Sequence, residues 1–318
     1  MTYLAPKRLD RGDKVAIVAP ASPFVTDELI AGLDIIKSVG LEPVLGPNVR
    51  HLKSSDIHSA PLMDRVEELM WAFTDPNIAG VITALGGLGS GGTLPYLDFD
   101  AIRASRRVIL GLSDITALNC GLLAGANLIN VNGQYPAIRL DEGRAIRAAD
   151  EASMLFTLKL LMSEEEWGET PFDINQFMPR TISSGQASGP ALGCNLETLC
   201  TLLGTPFMPD VDGAILFLED THKGGEEISR LFLHLQLAGV LDRVAGIVVG
   251  EFVDVPDKDD PKVPAIEDVL VEYLGHGVPC SVGYSFSHGS YTIPIPVGAH
   301  TVMDADTGVI SFKFTMAS

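Results

Sequence analysis

Gly80-Val81-Ile82-Thr83-Ala84-Leu85 runs directly into Gly86-Gly87-Leu88-Gly89-Ser90-Gly91-Gly92, and further on Val108-Ile109-Leu110-Gly111 runs into Leu112-Ser113-Asp114-Ile115. Each is a short apolar run that stops at glycine and polar residues. The second is followed by helical periodicity over 115–123. Apolar runs of this length suit strands buried on both faces of a parallel sheet. The pattern extends outward on both sides. Residues 14–19 (KVAIVA) form another such run, ending at Pro20. Thr26 is placed to cap a helix with apolar face Leu29, Ile30, Leu33, Ile36 and Val39, and Gly40 stops it. Strand character returns at 43–45 and 127–131, and helical character at 63–73 and 97–104. Repeated strand–helix alternation predicts a parallel sheet covered on both faces.

Beyond 140 the pattern changes. A helix is expected over 144–162. Residues 163–189 are acidic, contain Pro, Ser and Gly, and read as a connection or a loop over a site. The rest reads as helices at 196–203, 226–238 and 266–274, strands at 214–218 and 244–249, and a strand-rich C-terminus. The predicted organisation is therefore 1–140, a connection at 141–188, and a β-rich α/β unit at 189–318. A length of 318 residues agrees with two compact units. With 46% hydrophobic and 20% charged residues, the chain is not mainly disordered.

The net charge of −19 repels nucleic acid and anionic membranes, and no basic patch offsets it. No apolar stretch reaches the about 20 residues of a membrane span. Residues 1–8 lack the pattern of a signal peptide, so a cytoplasmic location is expected. Cys120, Cys194, Cys200 and Cys280 show neither a C-x-x-C pair nor zinc-finger spacing, and read as reduced core thiols.

Ligands on open parallel sheets bind beyond the carboxyl ends of the strands. The glycine loop 86–92 is one such end. It lets a ligand approach main-chain N–H groups, but lacks both the P-loop ending and G-x-G-x-x-G; it also reads as a tight turn. Ser113 is at another such end. A serine on a sharp strand-to-helix turn exposes its hydroxyl beside the next N–H and the helix dipole. Ile115 breaks the G-x-S-x-G pattern, and a plain helix cap remains the alternative. A nucleophilic serine needs a base and an orienting acceptor. His51, His58 and His276 read as solvated turn residues, His234 as helical, and His300 as a strand start. His222, just after Glu219-Asp220, and His288, in the polar loop 286–290, remain as candidate bases. Four apolar residues, Ile215 to Leu218, deliver Glu219 to a strand end as the candidate orienting carboxylate.

Several segments occur in one order: Gly86-Gly87, Gly111-Leu112-Ser113-Asp114-Ile115-Thr116-Ala117-Leu118, Gly193-Cys194-Asn195-Leu196, Gly204-Thr205-Pro206, Leu216-Phe217-Leu218-Glu219-Asp220, and Ser287-His288 with Pro296-Val297-Gly298. Together they resemble the LD-carboxypeptidases (muramoyltetrapeptide carboxypeptidases) and the related microcin C self-immunity peptidases. The resemblance runs from about residue 9 to 309. It implies an N-terminal Rossmann or flavodoxin-like parallel-sheet domain and a β-rich second domain. It further implies a serine peptidase in which Ser113 is nucleophile, His288 general base and then acid, and Glu219 orienting carboxylate. The oxyanion hole would be the N–H groups of Gly87 and Asp114. A homodimer is implied, with no metal or organic cofactor.

Some positions depart from the family pattern. Leu112 precedes the nucleophile where Tyr or His is usual, and Cys194 replaces a glycine. Basic residues that many murein-directed members carry in the glycine loop are absent at Leu85 and 91–93. Residues 94–102 and Ser287-His288 are closer to the microcin branch, in which aromatic residues of the interdomain loop stack a nucleotide; Trp167 is the candidate here. Gly86, Leu88, Asn195 and Lys223 complete the expected substrate contacts, with Arg139 and Arg230 as further candidates for an anionic group. The expected substrate is a murein tetrapeptide losing its terminal D-amino acid. An aminoacyl-nucleotide or other peptide conjugate is the alternative, and a non-catalytic two-domain binding protein is the rival from another class.

Overall fold

The protein is described from a computed structural model, which covers residues 3–51, 57–140, 143–169, 179–256, 258, 260, 262–275, 277–289 and 291–318. His276 and residues 170–178 of the 163–189 stretch lie outside the described residues. In chain order the elements begin with β1 (Lys14–Val18), α1 (Thr26–Ser38), β2 (Glu42–Leu45), the short α2 (Pro47–Arg50), α3 (Leu62–Thr74), β3 (Gly80–Thr83), α4 (Phe99–Ser105), β4 (Ile109–Gly111), α5 (Thr116–Ala126), β5 (Asn130–Asn132) and α6 (Arg144–Leu161). They continue with β6 (Gly168–Glu169), β7 (Arg180–Ser183), β8 (Gln186–Asn195), α7 (Leu196–Thr201), β9 (Ile215–Thr221), α8 (Gly225–Leu237), β10 (Gly246–Val253), α9 (Ile266–Leu274), β11 (Cys280–Tyr284), β12 (Ile295–Val297), β13 (His300–Asp304) and β14 (Val309–Lys313).

The first sheet runs β12-β5-β4-β3-β1-β2. Its first five strands in sequence are parallel, in the order 2-1-3-4-5 of flavodoxin-like folds. Burial on both faces explains the unbroken apolar runs: Val15, Ala16, Ile17 and Val18 are all fully buried. The strand order reverses between β1 and β3, which is where such sheets bind ligands. The second sheet runs β6-β14-β13-β8-β9-β10-β11-β7. Its centre, β8-β9-β10-β11, is parallel, and antiparallel strands extend it on both sides.

Three expectations need correction. Residues 163–189 are not only a connection, because Gly168–Glu169, Arg180–Ser183 and the start of Gln186–Asn195 are strands. Ile295–Val297 pairs with β5 of the first sheet, although it follows the second sheet's strands in sequence. Thr26 is the first residue of α1 rather than its cap; Val25 occupies that position and no side chain caps the helix. Among the described residues no helix is long and apolar enough to cross a membrane.

Candidate active site

Strand β4 ends at Gly111, and the chain turns through a short 3₁₀ segment, Ser113–Ile115, into α5. Ser113 has φ +68°, a backbone conformation that costs a residue with a Cβ about 1–2 kcal/mol. A non-glycine residue held there by its surroundings is a mark of functional strain. The glycine loop after β3 lies against this turn. A Cβ on Gly86 would come within 2.7 Å of the Leu112 carbonyl oxygen and 2.8 Å of Ser113 Cβ. Gly86 is therefore the floor on which the serine turn rests. Gly87 has φ +100°, and a Cβ there would strike Ser22.

Three side chains hold the loop in place. Asp114 accepts the Gly89 and Ser90 N–H groups at 3.1 and 2.7 Å. Ser22, from the segment after β1, accepts the Leu88 N–H at 3.0 Å. Arg65 of α3 is buried and donates to the carbonyls of Gly89, Pro20 and Ala60. Burial lowers its pKa, and the nearby Asp114 charge opposes that. The loop lacks basic residues of its own, but a buried cation supports it from beneath. Neither the Gly87 nor the Asp114 backbone N–H donates to a protein group among the described residues.

The second sheet brings its own carboxyl ends to the same place. Four buried apolar residues of β9 carry Glu219 to the strand end, where it is fully buried. Its Oε2 lies 2.7 Å from Nδ1 of His288, in the loop after β11. Of the two candidate histidines, His288 is the one hydrogen-bonded to Glu219. His222 is exposed, and its nearest acid is Asp254 at 3.9 Å. Burial lowers the basicity of His288, but the charge and hydrogen bond of Glu219 outweigh it, and the net pKa is raised above 6.5. Gly250 of β10 leaves space for Glu219 and Phe286 side by side. Asn195, at the end of β8, accepts the Thr198 N–H and so caps α7. It donates to Glu219 and Asp220, each at 3.3 Å. Burial raises the Asp220 carboxyl to about 6, against the N–H groups of Thr221 and Glu197 that stabilise its charge.

A cavity of about 720 Å³ separates the two sets of strand ends. Gly87, Leu88, Ser113, Asn195, Asp220 and Lys223 are among its walls. His288 lies on an adjoining cavity of about 290 Å³, and Thr221 and His222 border both. Among the described residues no hydrogen bond joins Ser113 to His288. Such contacts commonly tighten only when substrate binds.

The N-terminal portion, residues 15–133, matches the family model described as the LD-carboxypeptidase N-terminal domain, and residues 188–303 match that of the LD-carboxypeptidase C-terminal domain. The chain belongs to the LD-carboxypeptidase family. A probable murein peptide carboxypeptidase of Bacillus subtilis is 32% identical, over 94% of this chain and 91% of its own. The microcin C7 self-immunity protein MccF of Escherichia coli is 29% identical, over 92% and 90%. A structure of MccF in complex with glutamyl sulfamoyl guanosine superposes with a TM-score of 0.87 at 25% identity, covering 99% of this chain and 100% of that one. As a member of the LD-carboxypeptidase family, the protein is a carboxypeptidase-type enzyme.

Other expected contacts fall out differently. Lys223 walls the larger cavity but is paired with Glu197 at 3.0 Å. Arg230 forms an exposed pair with Glu226. Arg139 is bound to buried Asp150. Trp167 is a correction: it packs edge-to-face on Phe314 at 5.3 Å, is buried in a core, and does not wall the cavity at Ser113. Ser22, Arg65 and the Asp114 carboxylate went unrecognised in the sequence. For Ser22 a signal existed, since Pro20-Ala21-Ser22 follows a strand end beside the order reversal. Among the described residues no group of three or more His, Cys, Asp or Glu has the arrangement of a metal site.

Proposed function

We propose that the protein is a serine peptidase in which Ser113, His288 and Glu219 act as a triad. The observation that carries this reading is the 2.7 Å bond between buried Glu219 and His288 Nδ1, at the margin of the cavity that holds Ser113. With Nδ1 committed to Glu219, the tautomer is fixed and Nε2 is the nitrogen that takes a proton from Ser113. Ser113 Oγ then attacks the amide carbonyl. The tetrahedral oxyanion receives the N–H groups of Gly87 and Asp114, which donate to no protein group among the described residues, and the helix dipole of α5 adds at Asp114. His288 passes its proton to the leaving amine, an acyl-enzyme forms on Ser113, and water activated at His288 releases the acid.

The substrate that the family relationship supports is a murein tetrapeptide, cleaved at its terminal D-amino acid. The second reading is an aminoacyl-nucleotide or related peptide conjugate. It is supported by the glycine loop's lack of basic residues, by the size of the cavity, and by the likeness to MccF. Residues 1–140 supply the nucleophile and 189–318 the base and its orienter, with 141–188 between them. The active form is a cytoplasmic homodimer on this reading; four buried free cysteines suit a reducing compartment. Hydrolysis assays on a murein tetrapeptide and on an aspartyl sulfamoyl adenylate, each with Ser113→Ala as control, test the function. Activity on the adenylate alone would remove the murein substrate. Equal rates in wild type and Ser113→Ala would remove the mechanism.

A further inference from the structure

The loop that carries His288 is held from outside its own sheet. Arg139 lies between β5 and α6. Its Nε and one terminal nitrogen donate to the two carboxylate oxygens of Asp150, at 3.0 and 2.6 Å. Asp150 is on α6 and only 1% exposed, and its Oδ2 also accepts the Arg139 N–H at 3.0 Å. The remaining reach of the same guanidinium crosses to the other sheet's loop. Nη1 donates to the His288 carbonyl at 3.1 Å, and Nη2 to the Gly289 carbonyl at 2.9 Å. One turn further along α6, Ser153 Oγ accepts the Thr292 N–H at 2.9 Å, and Thr292 donates back to the Ser287 carbonyl at 3.0 Å. Helix α6 thus grips both flanks of His288, through Asp150 with Arg139 on one side and Ser153 on the other.

We propose that Arg139, fixed by Asp150, is a positioning residue for His288, carrying the orientation of α6 to the imidazole through the carbonyls of His288 and Gly289. The inference rests on the triad reading, since it gives Arg139 work only if His288 is the base. The chemistry favours arginine specifically. A planar fork of donors can hold a carboxylate in two-point contact and still reach two carbonyls; a lysine ammonium cannot span that arrangement. A buried carboxylate such as Asp150 needs a cation, so the pair fixes the guanidinium rather than leaving it to solvent. Its place also matters electrically. The groups around His288 are Glu219 and Asp220 from β9, Glu251 from β10 beside Ser287 and Gly289, and Arg139, with Tyr135, His222, Asp254 and Glu28 on the wall of the adjoining cavity. Carboxylates dominate that set. Arg139 opposes the pull of Glu219 and Asp220 on the imidazole and lowers its basicity. The cation thus holds the loop that carries the ring and, secondarily to burial and Glu219, favours the neutral imidazole.

The test uses the full chain and a fluorophosphonate probe, so that no knowledge of the substrate is needed. The rate of Ser113 phosphonylation is measured for wild type, His288→Ala, Arg139→Met, Arg139→Lys and the double variant Arg139→Met/Asp150→Leu. The His288 imidazole is titrated by NMR in the single Arg139 variants. The double variant leaves no unpaired buried charge, so it keeps the comparison open should Arg139→Met fail to fold. Labelling is expected to fall tenfold to about a hundredfold in Arg139→Met and in the double variant, the scale of a misplaced catalytic group. The His288 midpoint moves upward in Arg139→Met. In Arg139→Lys it returns towards the wild-type value while labelling stays slow. A double variant that labels at the wild-type rate overturns the proposal. So does slow labelling in a folded Arg139→Met with an unmoved His288 midpoint, because Arg139 would then be merely structural. Wild-type labelling in His288→Ala would instead remove the triad reading, and that outcome is distinct from the others.

Discussion

Glu219 and His288 meet at 2.7 Å with the carboxylate fully buried, so the imidazole has one nitrogen committed, and in the proposed triad the other takes the Ser113 proton. Two expectations follow at this scale. Ser113→Ala removes the attacking oxygen and lowers kcat by roughly 10⁴ to 10⁶, with the fold retained as read by circular dichroism. Glu219→Gln lowers kcat by less, because nucleophile and base remain. It also changes the pH profile. The base must be neutral, so kcat/KM falls as pH drops through the raised His288 pKa, above 6.5. Glu219 is what raises it against burial, so Glu219→Gln moves that acidic limb to lower pH. A limb that stays in place in the variant would show that another group governs it. Ser113 and Glu219 stood out in the sequence because each follows an apolar run, and His288 because it lies in a polar loop between strand-like segments. Preference for His288 over His222 came from the family resemblance alone. Both are loop histidines after strands, and only folding shows that one meets Glu219 and the other faces solvent.

At the scale of elements, the strand-to-helix turn and the glycine loop form one unit. Ser113 at φ +68° is strained, and glycine at the same position is not. Ser113→Gly is therefore expected to be about 1 kcal/mol more stable than Ser113→Ala, although both are inactive; chemical denaturation measures it. Gly86→Ala drives a methyl into the Leu112 carbonyl and Ser113 Cβ. It is expected to cost about 1–3 kcal/mol and to lower activity together with stability. Gly92→Ala is the comparison, since its nearest neighbour, Leu62, is 3.8 Å away and Tm should stay near that of wild type. The elements themselves were largely readable: the strands and helices of residues 14–132 lie close to where periodicity puts them. Trp167 was not. A lone tryptophan in an acidic, proline-containing stretch reads as a loop residue, but Gly168–Glu169 pairs with β14 and draws it onto Phe314.

Over the whole molecule, two sheets place their strand ends at one cleft, and the proposed triad draws its groups from both. Local pattern does not say which strands become neighbours. That is why the return of Ile295–Val297 to the first sheet, and the Arg139–Asp150 grip on the His288 loop, were invisible in sequence. The net charge of −19 acts at this scale as well. It repels a substrate that carries carboxylates, and salt screens the repulsion over about 10 Å at 0.1 M. KM for an acidic peptide is therefore expected to fall as ionic strength rises from about 0.01 to 0.15 M, and KM for its amidated analogue to change little. Equal salt dependence for the two would show that the field of the chain does not reach the cleft. The central claim is that Ser113 is the nucleophile of a triad assembled across the two sheets. Mass spectrometry of the intact protein after fluorophosphonate treatment, followed by peptide mapping, tests it most directly. A single adduct on Ser113 is expected, absent in Ser113→Ala and slowed by orders of magnitude in His288→Ala. An adduct on another residue, or labelling of Ser113 that is indifferent to His288, would contradict it.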